Sequence, residues 1–180
     1  VWAQPRMGPT SGPGVQIVGA SYSKQLSLRD SVKCRRLIEG PWYQKHWSDR
    51  FQLTSDQNTK GRFDNSCRGE RLITSVDAAV TGEGGSIIVV DDPNAANEAF
   101  SEATIESTKE WWDGTMSTRL NDPKTGAYII IMQRLHESDL TGHVLSKDRG
   151  EWTHLCLPMR FESDRRCITN WFVDTRDEGE

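Results

Sequence analysis

The stretch SIIVVDDPNA, Ser86–Ala95, decides the fold. Four branched apolar residues, Ile87–Val90, run straight into Asp91, Asp92 and Pro93. A continuous β-branched run marks a strand buried on both faces, as in the middle of a parallel sheet. Two carboxylates at the end of such a strand are costly to desolvate unless a cation meets them. The run therefore predicts either a solvated loop that opens at an Asp-Pro turn, or a site where a metal ion or a basic group sits above the pair.

Working outward, AYIIIM (Ala127–Met132) reads as a second fully buried strand, and Gln133 and Arg134 follow it. Ligands in parallel α/β sheets bind beyond the carboxyl ends of the strands. If the two strands are neighbours, Asp91, Asp92, Gln133 and Arg134 face one crevice. That set suits a nucleotide-phosphate site. One acid would hold Mg²⁺ through water, since Mg²⁺ dehydrates reluctantly. The other would orient or deprotonate an attacking water, and Gln133 or Arg134 would sense the γ-phosphate.

The remaining elements fit an α/β fold with a largely parallel sheet. VQIVGAS (Val15–Ser21) reads as a strand. SKQLSLRDSVKCRRLI (Ser23–Ile38) reads as a helix capped by Ser23, with Leu28, Val32 and Leu37 near one face. PWYQKHWSDRFQLTSDQNTKG (Pro41–Gly61) reads as a loop with aromatic anchors. GRFDNS and GERLITSV read as two strands around a turn at Cys67–Gly69. DAAVTGEGG (Asp77–Gly85) is a connector, a helix is expected over Ser101–Thr115, and Asn121–Gly126 is a turn. A short helix capped by Ser138 or Asp139 follows, then a last strand in EWTHLCLP (Glu151–Pro158) and a polar linker from Phe161.

Composition sets the outer limits. One substantial domain of 180 residues can bury about 70% of its unfolded surface. A net charge of −4 gives no global attraction to nucleic acid, although a local basic patch is compatible with it. No apolar run reaches the length of a membrane span. Cys34, Cys67, Cys156 and Cys167 are scattered and form no C-x-x-C pair, and His136 and His143 miss the H-E-x-x-H spacing. Zinc-type sites are therefore disfavoured, and the thiols read as reduced. Neither Gly-rich stretch is a P-loop. GPTSGPG (Gly8–Gly14) has no Lys-Ser or Lys-Thr and loses amide donors to proline, and TGEGGS (Thr81–Ser86) precedes a strand and carries an acid.

The segments ASYSKQLSLRDS, VTGEGGSIIVVDDPNAANEAFSEA, WWDGTMSTRL, IIIMQRLHESDLTGHVL and WTHLCLPMRFE resemble, in order and spacing, the large terminase subunits of tailed double-stranded DNA bacteriophages. The resemblance covers about Val15–Phe161. It implies an ASCE-type P-loop NTPase core, here lacking its first strand and Walker A loop, with IIVVDD as the Walker B strand. Asp91 would be the Mg²⁺-associated, cofactor-binding acid, Asp92 the catalytic carboxylate, and Gln133 and Arg134 part of the coupling motif. Ser21, at the strand end in ASYS, would lie on the ATP-binding side. Many relatives carry Glu where Asp92 stands, and Asp is one methylene shorter.

The resemblance further implies ATP and Mg²⁺ as cofactors. Its implied partners are double-stranded viral DNA, the portal protein of the procapsid and the small terminase subunit, in a homo-oligomeric ring in the cytoplasm of the infected host. On this expectation residues 1–160 form part of the ATPase domain, 161–180 lead toward a nuclease domain, and the phosphate loop lies before Val1. Two other readings compete. One is a non-catalytic DNA- or procapsid-binding module using Lys24, Arg29, Lys33, Arg35 and Arg36, with Trp42, Trp47, Trp111 and Trp112 as aromatic contacts. The other is a two-metal nuclease using Asp91, Asp92, Glu137 and Asp139, although the last two are better explained as the opening turn of a helix.

Overall fold

The computed structural model describes every residue except Asp77, Ala79, Thr81, Ala99, Gly179 and Glu180. Part of the connector read from the sequence at Asp77–Gly85 thus lies outside the described residues. Two compact units divide the chain, Val1–His143 and Val144–Glu180.

The first unit is built on a sheet of six strands: β1 (Gln16–Ser21), β2 (Leu53–Asn58), β3 (Arg62–Asn65), β4 (Glu70–Ser75), β5 (Ile87–Asp91) and β6 (Ala127–Ile131). Their order across the sheet is β2-β3-β4-β1-β5-β6. β1 pairs in parallel with both β4 and β5, and β5 pairs in parallel with β6. β2 and β3 extend the sheet as antiparallel strands. The α/β architecture with a mostly parallel sheet is therefore as the sequence predicts.

Two helices cover the two faces. α1 (Lys24–Glu39) lies over β1 and β4, and α3 (Glu102–Gly114) follows β5. A shorter α2 (Pro41–Trp47) turns back beside α1, and α4 (Leu140–Ser146) follows β6 and runs across the boundary between the two units. One core cluster gathers Trp2, Val15, Ile38, Tyr43, Phe51, Phe63 and Ile87 on the α1 face. Trp2 meets Phe51 and Phe63 edge-on, at ring separations of 5.5 and 5.9 Å. On the opposite face Ile88 and Val90 are fully buried, and Trp112 of α3 packs edge-on against Tyr128 of β6.

Five expectations need correction. The segment after Gly40 is not a loop: Pro41 occupies the first turn of α2, where its missing N–H costs nothing, and β2 follows. The buried face of α1 is Ser27, Ser31, Cys34 and Ile38, and Leu37 points to solvent. Small residues at i, i+4 and i+7 let the helix lie close to the sheet, a device that apolar periodicity does not report. Ser23 is the N-cap residue of α1, but its side chain makes no capping bond. Glu151–Pro158 does not form a strand.

The fifth correction concerns β6. It is the edge strand, and it is only half buried, with Ile129 and Ile131 exposed by 43% and 54%. Ile129 and Ile131 stand on the same side of the sheet as Val89 and Asp91, their register partners on β5. α1 covers this face over β1 and β4, and among the described residues of this unit no helix covers it over β6. The strand is apolar enough for a sheet interior, yet one of its faces is bare.

The β3–β4 turn is fixed by Asn65. Its side-chain oxygen accepts from the N–H groups of Cys67 and Gly69, and its amide donates to the Pro13 carbonyl at 2.8 Å. Gly69 is required here, because a Cβ would come within 2.0 Å of that same carbonyl. Arg62 joins Glu70 and Glu83, each at 3.0 Å.

The second unit is small. Phe161 is buried beneath the guanidinium groups of Arg166 and Arg176, at 4.4 and 5.7 Å from its ring centre. Asp174 holds Arg176 at 2.8 Å, and this hydrogen bond keeps the Asp174 carboxyl below the usual carboxylate range.

The contrast between the two sheet regions is measurable. Phe63→Ala, at a fully buried site in the cluster around Trp2, should cost about 3–5 kcal/mol in urea unfolding. Ile129→Thr, on the bare face, should stay within about 0.5 kcal/mol of the parent. A loss at Ile129 as large as that at Phe63 would mean that the β6 face is covered.

Candidate functional site

The parallel strands deliver their carboxyl ends to one edge of the sheet. Ser21 ends β1, Ser75 ends β4, Asp91 ends β5 and Ile131 ends β6, with Gln133 and Arg134 immediately beyond. Asp91 is the register partner of Ile131, so the acid pair and the Gln-Arg pair do follow adjacent strand ends. The chain leaves β1 toward α1 on one face and leaves β5 toward α3 on the other. This divergence opens a crevice between β1 and β5, the place where open α/β sheets bind ligands.

Asp92 fixes the geometry of that edge through its backbone. Its N–H donates to the Ile131 carbonyl at 2.8 Å, and its own carbonyl accepts from the Tyr22 N–H at 3.1 Å. One peptide segment thereby ties together the exits of β1, β5 and β6. The residue sits at φ 43°, in the left-handed region that Asp tolerates better than most non-glycine residues. Asn94 fastens the next part of the loop. It is buried, and its amide donates to the Thr108 hydroxyl of α3 at 2.9 Å.

The carboxylates of Asp91 and Asp92 both lie at the surface. The Asp91 carboxyl is raised above its ordinary value, first by desolvation, then by the negative charges of Asp92 and of Asp30 on the flank of α1. Asp91 therefore shares its region with two other acids, of which Asp30 is itself paired with Arg29 and Lys33. A divalent cation is the ligand that would relieve this. Among the described residues no three His, Cys, Asp or Glu side chains are gathered as a metal cage. Mg²⁺ does not need one, since it binds through one or two carboxylates with water and substrate phosphates completing its shell. The residues present fit such an ion at Asp91.

The other sequence-derived candidates sit in different states. The Ser21 hydroxyl is buried and engaged, donating to the Ser23 carbonyl and meeting the Ser27 hydroxyl, each at 2.9 Å. Gln133 is exposed, and its amide makes no hydrogen bond among the described residues. Arg134 is held from below by a buried acid, Asp139, which the sequence marks as a helix cap and as a candidate in the two-metal reading. Asp139 Oδ2 accepts from Arg134 Nε at 2.9 Å and from the Leu135 N–H at 3.3 Å. Its Oδ1 accepts from the Gly142 N–H at 2.9 Å, which caps α4. Arg134 also donates to the His136 and Glu137 carbonyls. Asp139 is thus committed to structure. Asn94, Asp30 and Tyr22 belong to the neighbourhood as well, and none carries a motif that would single it out.

A cavity of about 310 Å³ opens beside the acid loop, lined by Tyr22, Pro93, Ala95, Glu98, Thr104 and Ser107 among others. Glu98 supplies the charge among these, which does not suit phosphate. Among the described residues that line it, none supplies a basic side chain to a phosphate. The bare side, above Asp91 and β6, is open.

Comparison with known protein families gives no match, and none of the curated proteins matches. Among solved structures the chain is similar to the large terminase of bacteriophage HK97, with a TM-score of 0.49 and 15% sequence identity over 74% of this chain. The chain spans about a quarter of that protein's length, 25%.

The raised Asp91 carboxyl makes a signed prediction. A folded-state value above the unfolded one means that ionising Asp91 weakens the fold as pH rises through the carboxylate range. Asp91→Asn should therefore melt higher than the parent at pH 7, by on the order of 1–3 °C. The gain should vanish at a pH below the ordinary Asp value of about 3.9, where both forms are neutral. A lower melting temperature for Asp91→Asn at pH 7 would contradict the electrostatic account.

Proposed function

We propose that the chain is part of the ATPase domain of a DNA-packaging motor of the large-terminase type. It would contribute the Walker B strand, β5, and the coupling segment after β6. In this reading Asp91 holds Mg²⁺ through water, and Asp92 orients the attacking water and draws its proton. Gln133, with its free amide, reports the state of the γ-phosphate to the Arg134 loop. Ser21 lies at the β1 exit beside the nucleotide, where its bonds to Ser23 and Ser27 shape the loop that carries Tyr22. ATP hydrolysis would drive double-stranded viral DNA into the procapsid. The portal protein and small terminase subunit would be partners, and the working form a homo-oligomeric ring in the cytoplasm of the infected host.

The observation that carries this reading is the coincidence of three features at β6. The acids and Gln133 leave adjacent strand ends, β6 has an unpaired edge, and the face beneath Asp91 is bare. A sheet of parallel strands is ordinarily covered on both sides. One strand–loop–helix unit from outside these residues would correct both defects. Its strand would pair with β6, its helix would cover Val89, Ile129 and Ile131, and its loop would emerge at the acids. A loop that follows a strand and opens a helix is the geometry of a phosphate cradle. The sequence motifs that resemble large terminases support the same assignment independently.

The 180-residue chain alone should hydrolyse ATP no faster than background, because the phosphate cradle is not among its residues. In the polypeptide that supplies that loop, Asp92→Asn should reduce ATP turnover by at least about 100-fold, the scale of a lost general base. Nucleotide turnover in that protein that survives Asp92→Asn unchanged would overturn the role given to the acid pair.

A further inference from the structure

We propose that the outer face of α1, continued onto α2, is a docking surface for the phosphate backbone of duplex DNA. The choice of duplex DNA as the occupant rests on the packaging-motor reading. The surface itself rests on charge and geometry. Residues 24–50 carry seven Lys or Arg against three acids, in a chain whose net charge is −4, so the rest of the molecule carries −8. Such an asymmetry makes this stretch attractive to polyanions, although Arg35 is turned away from solvent and donates to the Asn58 carbonyl and side chain.

The charges are arranged, not scattered. Arg29, Lys33 and Arg36 recur at i, i+4 and i+7, so they form one ridge along α1. The buried residues Ser27, Ser31 and Ile38 occupy the opposite side of the helix. The ridge therefore points directly to solvent, over about 10 Å of helix axis. Asp30 pairs with Arg29 at 3.0 Å and with Lys33 at 3.5 Å, in exposed contacts that salt and a polyanion readily displace. Arg36 has no acidic partner among the described residues. Beyond the corner at Gly40, α2 presents Lys45, His46 and an indole, Trp42, that is 60% exposed.

A convex cationic ridge fits a duplex better than a single strand. Single strands are usually held in grooves where several aromatic rings stack on successive bases. Here one exposed indole stands beside a straight row of cations. Duplex DNA carries a charge for about every 1.7 Å of its axis, so a ridge of this length meets several phosphates without reading sequence.

The test uses the whole chain with a fluorescein-labelled 30-base-pair duplex, by anisotropy and without nucleotide, so that failure here is separable from failure of the ATPase reading. Three phosphate contacts predict a slope of log affinity against log salt of about −2.7, roughly a 40-fold loss between 50 and 200 mM. Lys33→Glu and Arg36→Glu should each weaken binding several-fold and flatten that slope. Lys124→Glu, an equal charge change in the turn before β6, should have little effect. Circular dichroism melting of each variant keeps a folding defect distinct from a binding defect. The proposal is overturned if no duplex binding is measured at 50 mM salt, or if Lys124→Glu weakens binding as much as Arg36→Glu. It is equally overturned if a single-stranded 30-mer or anionic phosphatidylserine vesicles bind more tightly than the duplex.

Discussion

The backbone of Asp92 is the constraint on which the candidate site depends. Three parallel strands leave the sheet at nearly the same point, and their exits must diverge to reach helices on opposite faces. Each divergence frees peptide groups that the ladder no longer pairs. Asp92 answers on both sides, donating to the exit of β6 and accepting from the exit of β1. The positive φ at this residue is what turns its two peptide groups toward different neighbours. A consequence for chemistry follows. The acid pair is not a flexible loop tip but part of a crosspiece, and the carboxylates inherit the rigidity of the sheet. Pre-positioned groups of this kind need little reorganisation when a ligand arrives.

The same edge explains why Asp91 is under electrostatic strain. Its register places it on the α1 face, where Asp30 approaches from the helix and where β6 offers no covering element. A carboxylate partly desolvated, beside two like charges, is stabilised by protonation or by a cation. Asp30 already has Arg29 and Lys33 as partners, at 3.0 and 3.5 Å, so the charges left to answer at this edge are those of Asp91 and Asp92. Arginine would be the alternative counter-charge. Arg134 is the basic residue just beyond the neighbouring strand, and its Nε is committed to Asp139. Its structural bonds point it toward the α4 cap.

How much of this was legible in the sequence depended on which physical signal each element carries. Ile87, Ile88 and Val90 are buried as the apolar run demands, while Val89, on the same side as Ile129, is only half buried. Ala127–Ile131 has the same composition and was read the same way, yet it is an edge strand with a bare face. Hydrophobicity encodes a demand for cover and does not say what meets it. α1 was located, but its contact face was misread, because Ser27 and Ser31 pack through small size and leave no apolar signature. α2 is only seven residues long and rich in aromatic side chains, so it carries little helical periodicity, and Pro41 at its first turn is its one helix-start signal. At the site, the acid pair and the adjacency of the two strand ends were visible in the pattern. Asp30, Asn94 and the Asp139 clamp were not, since each matters only through a partner far away in sequence or through burial.

The Gln-Arg pair after β6 divides its labour in a way that its adjacency in sequence conceals. Arg134 is bound through Asp139 to the first turn of α4, and that carboxylate is almost wholly buried. Removing either partner would leave a buried charge or an open helix cap, so the segment behaves as a rigid strut from β6 to α4. Gln133, one residue earlier, projects from the fixed end of that strut with its amide unengaged. A side chain that is free at its tip and anchored at its base is suited to detecting a change nearby. The pair therefore joins an anchored base to a tip that makes no hydrogen bond among the described residues, and the buried carboxylate of Asp139 is what anchors it.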